Sequence, residues 1–212
     1  MSLDELWQTL VKLHIHTKSL VLLAEEIGED LQTNLHIIQQ WGYAHEHSMR
    51  ATGIQKGLKV GVDESEKESA IRDNLESAIK HEYRAFWDAA DWVSILYRDK
   101  IYKLLVPYST QCIKDIIPEW YSEMQPNIQE INEKIAGFRE QKDGAKSINA
   151  KLDEAKEYRN KIDYLKECYK KVLKASSTMC GYKYKEWKKL LLMLGLGIIG
   201  TLMAVFLYDF FN

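Results

Sequence analysis

The stretch EKESAIRDNLESAIKHEYRAFWDAADWVSILYRDKIYKLL, residues 66–105, contains neither proline nor glycine. Its apolar side chains recur every three or four residues, which places them on one face of an α-helix. Pro107 disfavours helical geometry at the residue before it. The stretch therefore predicts one long helix that ends at Leu105, with an apolar stripe of Ile71, Leu75, Ile79, Tyr83, Phe86, Ala90, Val93 and Tyr97.

The rest of the chain is also predicted to be helical. Only 3 prolines and 11 glycines occur among 212 residues, and residues of high helix propensity such as Leu, Lys and Glu are abundant. Ser2 with Glu5, and Ser65 with Glu68, have the spacing of a capping box at a helix start. Two further helices are predicted in the first part of the chain, from Ser2 to Gly28, which ends or bends the helix, and from about Glu29 to Thr52. Short helices are predicted around Pro118, and a longer helix begins at Pro126. After a turn at 142–147, the last of these helices runs from Ser147 to about Lys174.

The segment Leu190–Tyr208 is 19 residues long and has no charged side chain. As a helix it measures about 28 Å, close to the ~30 Å hydrocarbon core of a bilayer. A buried helix of a soluble protein is disfavoured because no polar face interrupts the run. Basic residues in KYKEWKK (183–189) precede the segment and Asp209 follows it. The positive-inside rule then predicts that residues 1–189 are cytoplasmic and that the C-terminus is outside.

Charge is distributed unevenly along the chain. Residues 1–70 carry 6 basic and 11 acidic side chains, and residues 71–140 carry 9 and 12. Residues 141–189 carry 14 basic and 7 acidic side chains, directly before the apolar segment. This basic region is interpreted as a solvated helix near anionic lipid headgroups, or alternatively as a surface for a polyanionic ligand.

The helix predicted from Ser147 has a thin apolar stripe with charged flanks, which is typical of packing against one partner helix, including one from another copy of the chain. The stretch SSTMCGY (176–182) is predicted to be a hinge. The expected fold is an all-α cytoplasmic bundle with a charged stalk helix and one C-terminal transmembrane helix. The expected division is a cytoplasmic sensor and assembly domain with its stalk (1–175), a basic juxtamembrane hinge (176–189), the transmembrane helix (190–208) and a short outer tail (209–212).

A polar group follows one face of the long helix. His81, Arg84, Asp88 and Asp91 lie at i, i+3, i+7 and i+10, flanked by Trp87 and Trp92. One interpretation is a polar seam inside the bundle that sets helix register. The other is a pocket in which His81 and Arg84 contact phosphate while a tryptophan stacks on a base. Residues of the preceding helix that could join this group are His45, His47 and Arg50.

No sequence pattern indicates catalysis. His45 and His47 are two residues apart, so on a helix they point in different directions and do not share one metal ion. The sequence has no HExxH motif, phosphate-binding loop, dinucleotide-binding turn or nucleophile elbow. The three cysteines form no CxxC pair. We therefore expect a protein that is not an enzyme and that has no metal site and no cofactor.

The apolar tail has a face of small residues, formed by Gly197, Gly200, Thr201 and Ala204. Small residues at intervals of three and four let membrane helices approach closely, so the tail is predicted to associate with its own copies. Around an axis this face could line a narrow pore that gates by dewetting. The alternative is a tight bundle that does not conduct.

The combination of the bundle, the HEYRAFWDAADW face (81–92), the basic stalk and the glycine-rich tail resembles the channel-forming membrane effectors of the Hailong antiphage system. That resemblance implies a homo-oligomeric channel in the bacterial inner membrane, controlled by single-stranded oligonucleotides or nucleotides made by a partner enzyme. The sequence alone also fits a tail-anchored adaptor that docks a cytoplasmic partner at the membrane, or a tethered enzyme.

Overall fold

A computed structural model of the chain describes residues 1–28, 34–58, 62–141 and 147–211. All regular structure in these ranges is helical, which confirms the predicted all-α class. A π-helical turn at Trp120–Met124 leads directly into the fifth α-helix. The α-helices are α1 (Leu3–Ile27), α2 (Leu35–Gln55), α3 (Lys67–Leu105), α4 (Thr110–Ile116), α5 (Gln125–Gln141) and α6 (Ile148–Phe211).

Helices α1, α3 and α6 run in the same direction. Arg72 Nη1 donates to the backbone oxygen of Met1 at 2.7 Å, and further along both helices His14 Nδ1 lies 3.4 Å from Glu82 Oε2. Tyr83 OH donates to Glu154 Oε2 of α6 at 2.5 Å, and further along both helices the ring centroids of Tyr97 and Tyr169 lie 5.8 Å apart. The end of α3 is therefore near the part of α6 that precedes the apolar segment.

Helices α2 and α5 run in the opposite direction. Trp41 Nε1 donates to Glu82 Oε1 at 2.9 Å, whereas the earlier residue His36 bonds the later residue Asp88 at 2.8 Å. Asn127 of α5 donates to Tyr164 OH of α6 at 3.0 Å, whereas the later residue Ile131 lines a groove with the earlier residue Glu157. The bundle thus has three helices in one direction, with α2 and α5 returning between them.

The centre of the core is aromatic and lies between α3 and α6. Trp87 is 1% exposed, and its ring centroid lies 4.7 Å from that of Tyr158 in an edge-to-face arrangement. The ring centroid of Phe86 lies 5.6 Å from that of the same indole. Burying an aromatic side chain of this size stabilises a fold by roughly 1.5–3 kcal/mol. The long helix predicted from the sequence is therefore the central helix of the bundle.

The apolar stripe of α6 packs on α3 of the same chain. Its buried members are Ala155, Tyr158, Ile162, Leu165, Val172 and Met179, whereas Leu173 is exposed. The sequence left open whether the partner helix came from this chain or from another copy. In the structure, α3 is that partner.

Two helix starts show how far local sequence predicts a cap. At α1, Ser2 N donates to Glu5 Oε2 at 2.6 Å and Glu5 N donates to Ser2 Oγ at 3.2 Å, so the predicted capping box is confirmed. The predicted box at Ser65 is wrong, because the N-cap of α3 is Glu66, without a side-chain cap bond. Ser65 lies instead within a turn closed by the bond from Glu66 N to Asp63 O at 2.9 Å.

The predicted limits of α1 and α2 are close to those observed. Gly28 caps the end of α1. Helix α2 extends three residues beyond the predicted end at Thr52, to Gln55. The predicted start of α2 near Glu29 and most of the predicted turn at 142–147 lie outside the described residues.

Helix α6 is 64 residues long and continues without a break through the predicted hinge at 176–182. Met179 is fully buried there, and Ser176 Oγ bonds back to the carbonyl oxygen of Leu173 at 2.7 Å. A single glycine, Gly181, weakens a helix by only about 1 kcal/mol. The packing of the α6 residues before and after Gly181 against the bundle is therefore sufficient to keep this segment helical. Among the described residues, α6 alone is long and apolar enough to cross a membrane; its most apolar window has a mean hydropathy of 2.6 and is not buried.

Candidate functional site

The structure brings His81 and His47 together between α2 and α3. Their rings are nearly parallel, with centroids 5.6 Å apart, and the Tyr43 ring lies 5.1 Å from His81. His81 Nδ1 donates to Gln40 Oε1 at 2.8 Å, and His47 Nδ1 donates to Asn74 Oδ1 at 3.2 Å. The predicted proximity of α2 to this face of α3 is therefore observed for His47.

The electrostatics of His81 favour a neutral ring. Partial burial lowers the pKa of His81 below its usual range, and the positive charge of Arg84 and the neighbouring His47 lower it further. A neutral imidazole attracts an anion less than an imidazolium does. Of the two residues proposed to contact phosphate, Arg84 is therefore the one that carries the positive charge near pH 7.

The other members of the 81–92 face separate into different environments. Asp88 Oδ2 lies 2.8 Å from His36 Nδ1, and Asp91 is buried in the bundle. Trp87 faces α6 and belongs to the core, so the expectation that it could stack on a base does not fit its position. Trp92 is half-buried and packs against the core.

The remaining predicted residues of α2 also diverge. Arg50 is exposed and forms an ion pair with Glu46 one turn earlier on the same helix. His45 is exposed and lines a cavity to which His47 does not contribute. The nine residues predicted for the ligand site thus do not converge on one pocket. Of these nine, His47, His81 and Arg84 lie close together, since the His47 ring stacks on His81 and the charge of Arg84 acts on the same ring.

A cavity that the sequence analysis did not predict lies between α1, α2 and α3. Its volume is about 350 Å³, within the usual range for small-molecule sites. The carboxylate of Glu82 is at its wall and is held by Trp41 and His14. We call this cavity the Glu82 pocket; its lining residues are Trp7, Leu10, Val11, His14, Trp41, Ala44, His45, Ser48 and Glu82.

One signal in the sequence could have indicated this pocket. Leu75, Ile79, Glu82 and Phe86 are spaced by four, three and four residues, so Glu82 occupies an apolar position of α3. An acidic residue at such a position is almost never fully buried unless it has a partner. The structure shows Glu82 to be 2% exposed, with partners from two other helices.

Residues after α3 contact α6 just before its apolar segment. Tyr108 OH lies 3.0 Å from Cys180 Sγ, and Ser109 Oγ donates to Glu186 Oε1 at 3.3 Å. Tyr182 OH donates to Asp115 Oδ2 of α4 at 2.9 Å. These pairs, which we call the juxtamembrane contact, hold α6 against the bundle where it leaves the core. The hydrogen bond with Cys180 and burial raise the pKa of Tyr108 to about 12.

The apolar segment of α6 makes no contact that covers its small-residue face within the described chain. A Cβ atom added at Gly197 or Gly200 would meet nothing within 4 Å. Thr201 Oγ1 donates to the carbonyl oxygen of Gly197 at 2.9 Å, so its hydroxyl is satisfied by its own helix. A shallow groove of about 540 Å³ follows this side of the helix. Gly197, Gly200, Thr201 and Ala204 are therefore exposed along one side, as their spacing predicts.

The fold and these sites define a class of protein: an all-α bundle whose last helix continues directly into an exposed apolar segment that could span a membrane. Comparison of the chain with protein-family models, curated proteins and solved structures gives no match. In the described part of the chain, no group of three or more His, Cys, Asp or Glu side chains is placed to hold a metal ion.

Proposed function

We propose that this chain is an oligomeric membrane effector in which a cytoplasmic helical bundle controls an ion channel or membrane-disrupting pore. The single observation that carries the proposal is the continuity of α6. The same 64-residue helix contributes to the bundle core and forms the exposed apolar segment. A displacement of α6 inside the bundle would thus reach the membrane without loss at a flexible linker.

The short distance between the two parts of α6 supports this coupling. Met179 is fully buried, and Leu190 begins the apolar segment 11 residues later, which is about 16 Å of helix. The juxtamembrane contact lies within this interval. It provides hydrogen bonds that a change in the bundle would break or form as α6 moves.

The exposed small-residue face supports association between copies. Without water to drive burial, membrane helices associate where small side chains let their backbones approach. Gly197 and Gly200 give such a surface. A pore lined by this face would present apolar atoms and a Thr201 hydroxyl already bonded to its own backbone. The span has no Asp or Glu, so we expect weak ion selectivity and gating by dewetting.

The proposed location is the bacterial inner membrane, with residues 1–189 in the cytoplasm, because the basic residues before the span favour that side. The proposed role is antiphage defence, which rests on the resemblance in architecture. The proposed ligand is a nucleotide or single-stranded oligonucleotide from a partner enzyme. Arg84, with the neighbouring His47 and His81, is the candidate anion-binding group.

Planar-bilayer recording of the purified full-length protein tests the channel. We expect discrete conductance steps, altered when short single-stranded DNA is added. Replacing residues 190–208 by an unrelated apolar span of equal length should abolish the conductance while the bundle remains folded, as judged by circular dichroism. Absence of conductance in every condition would overturn the proposal.

A tail-anchored adaptor is the second candidate, favoured by a separate observation. Val11, Ile15 and Leu22 are 53%, 60% and 55% exposed along α1, and they form an apolar surface that a cytoplasmic partner could cover. An adaptor needs its span only as an anchor. It would therefore keep its cellular activity after the tail replacement described above, whereas a channel would lose it.

A further inference from the structure

We propose that the Glu82 pocket binds a small, soluble organic cation such as a primary or quaternary ammonium compound. This pocket is a different site from the His47, His81 and Arg84 group, and its ligand is independent of the proposed channel. Glu82 is 2% exposed and places its carboxylate at the wall of a cavity of about 350 Å³.

The two protein partners of Glu82 leave acceptor capacity on its carboxylate. Trp41 Nε1 donates to Oε1 at 2.9 Å, and His14 Nδ1 lies 3.4 Å from Oε2. An ionised carboxylate has about four lone-pair sites, so each oxygen retains one after these bonds. The nine residues that line the pocket include no lysine and no arginine, and their only basic side chains are His14 and His45. His14 forms an ion pair with Glu82 only when its ring is protonated. A cationic ligand would therefore bring a permanent positive charge that the pocket lining does not have.

The rest of the wall matches the hydrophobic and aromatic part of such a ligand. Trp7 and Trp41 line the pocket, and the ring of His14 lies 5.5 Å from the indole of Trp41. Indole faces attract cations, and the attraction increases when the cation is removed from water. Leu10, Val11 and Ala44 contribute apolar surface. The carboxylate of Glu82 would repel an anion. This pocket therefore differs in ligand preference from the proposed nucleotide site.

The geometry also indicates that the cation comes from solution and not from a lipid headgroup. Tyr83, the residue after Glu82, bonds Glu154 of α6. Glu154 precedes Leu190 by 36 residues, which is about 54 Å along a continuous helix. If α6 crosses the membrane at Leu190, the pocket is far beyond the headgroup region.

Thermal unfolding and calorimetry of the full-length protein in a maltoside detergent test the inference. The probes are choline and 2-phenylethylammonium, each with a neutral analogue of similar shape, 3,3-dimethyl-1-butanol and 2-phenylethanol. We expect at least one cation to raise Tm and to bind at least ~10-fold more tightly than its neutral analogue. Glycerophosphocholine represents the lipid headgroup and should not bind, because its phosphate would lie near Glu82.

Two pairs of variants locate the site. Glu82→Gln keeps the shape and removes the charge, so it should weaken cation binding by at least ~10-fold, whereas Glu76→Gln on the same helix should not. Trp7→Leu should weaken binding, and Trp187→Leu, outside the pocket, should leave it unchanged. Equal binding of cations and neutral analogues, full binding by Glu82→Gln, binding of glycerophosphocholine at the affinity of choline, or no binding of either cation would each overturn the inference.

Discussion

The phenol oxygen of Tyr108 lies 3.0 Å from the sulfur of Cys180, joining the residues that follow α3 to the part of α6 that precedes the apolar segment. Both partners are near the surface, where a hydrogen bond adds only about 0.5–1.5 kcal/mol to stability. A contact this weak can be broken and formed again without unfolding the bundle. Its effect should therefore be on the position of α6 more than on the stability of the fold.

Tyr108→Phe removes this hydrogen bond and keeps the ring. If the chain forms the proposed channel, we expect an altered open probability in bilayer recordings, because α6 loses one restraint next to its apolar segment. The change in Tm should be no more than a few degrees. Tyr184→Phe is the matched control, since Tyr184 is exposed on the same helix. Recordings from both variants that match those of the unchanged protein would show that the Tyr108–Cys180 hydrogen bond plays no part in gating.

The three cysteines should differ in their reactivity toward maleimide. Cys112 and Cys168 are buried, and burial raises the pKa of both thiols, which lowers the fraction of reactive thiolate near pH 7.5. Cys180 is exposed. Mass spectrometry should detect one fast adduct per chain in the folded protein, and Cys180→Ser should remove it. Fast labelling of a second cysteine would contradict the packing of α4 and α6.

Trp87→Ala should destabilise the bundle by about 3–5 kcal/mol, because it leaves a cavity against Tyr158. Thermal unfolding in detergent, followed by circular dichroism, measures the loss. Trp187→Ala changes an exposed tryptophan and should shift stability by less than about 0.5 kcal/mol. Similar losses in both variants would mean that Trp87 is not a core residue.

Gly197→Leu should weaken association between copies in detergent by about tenfold or more, because a large side chain keeps the helices apart. Gly195→Leu adds the same side chain two residues earlier, where it points away from this face. Chemical cross-linking and native mass spectrometry give the oligomer fraction. If Gly195→Leu disrupts the oligomer and Gly197→Leu does not, copies associate through another face.

Stability should fall as the pH is lowered below about 6.5. Burial, followed by neighbouring positive charge, lowers the pKa of His81 and of His16 in the folded state. The unfolded chain, with histidine pKa values near ~6.5, therefore binds protons first, and folding loses free energy as the pH falls from there toward the folded-state pKa values.

Tm measured from pH 7.5 to pH 5.5 checks this prediction. His16→Gln and His81→Gln should each make the decrease shallower, since they remove a group whose protonation favours the unfolded chain. Gln39→Ala, at an exposed position of α2 with no titrating side chain, is the control and should leave the slope unchanged. Parallel curves for all three variants would rule out this origin of acid sensitivity.

Local patterns in the sequence were sufficient to predict the helices. The apolar spacing of residues 66–105 and the position of Pro107 gave α3 almost to the residue, and Ser2 with Glu5 gave the start of α1. These signals involve only neighbouring residues. The segment 176–182, for which the sequence predicts a hinge, is continuous helix in the structure. The burial of Met179 and the contacts of Cys180 and Tyr182 depend on distant parts of the chain, so local sequence does not reveal them.

The candidate sites were harder to predict for the same reason. Spacing placed His81, Asp88 and Asp91 on one side of α3, but it could not show that α2 and α6 each cover part of that side. Trp87 therefore turned out to be a core residue. The spacing of Ile79, Glu82 and Phe86 shows that Glu82 occupies an apolar position, but spacing alone does not predict its pocket, because most of the residues that surround Glu82 come from α1 and α2.

The uninterrupted helical geometry of α6 also relates the side that packs on the bundle to the side that carries the small residues. Met179, which faces the core, precedes Gly197 by 18 residues, or five turns at ~3.6 residues per turn. The side of α6 that carries the bundle is therefore the side that carries the small-residue face. If copies associate through that face, each bundle lies above the shared axis. Together the bundles would then cover the cytoplasmic end of a pore on that axis. Ions would then enter through lateral openings between neighbouring α6 helices. The space available to the bundles around the axis would limit the number of copies in the oligomer.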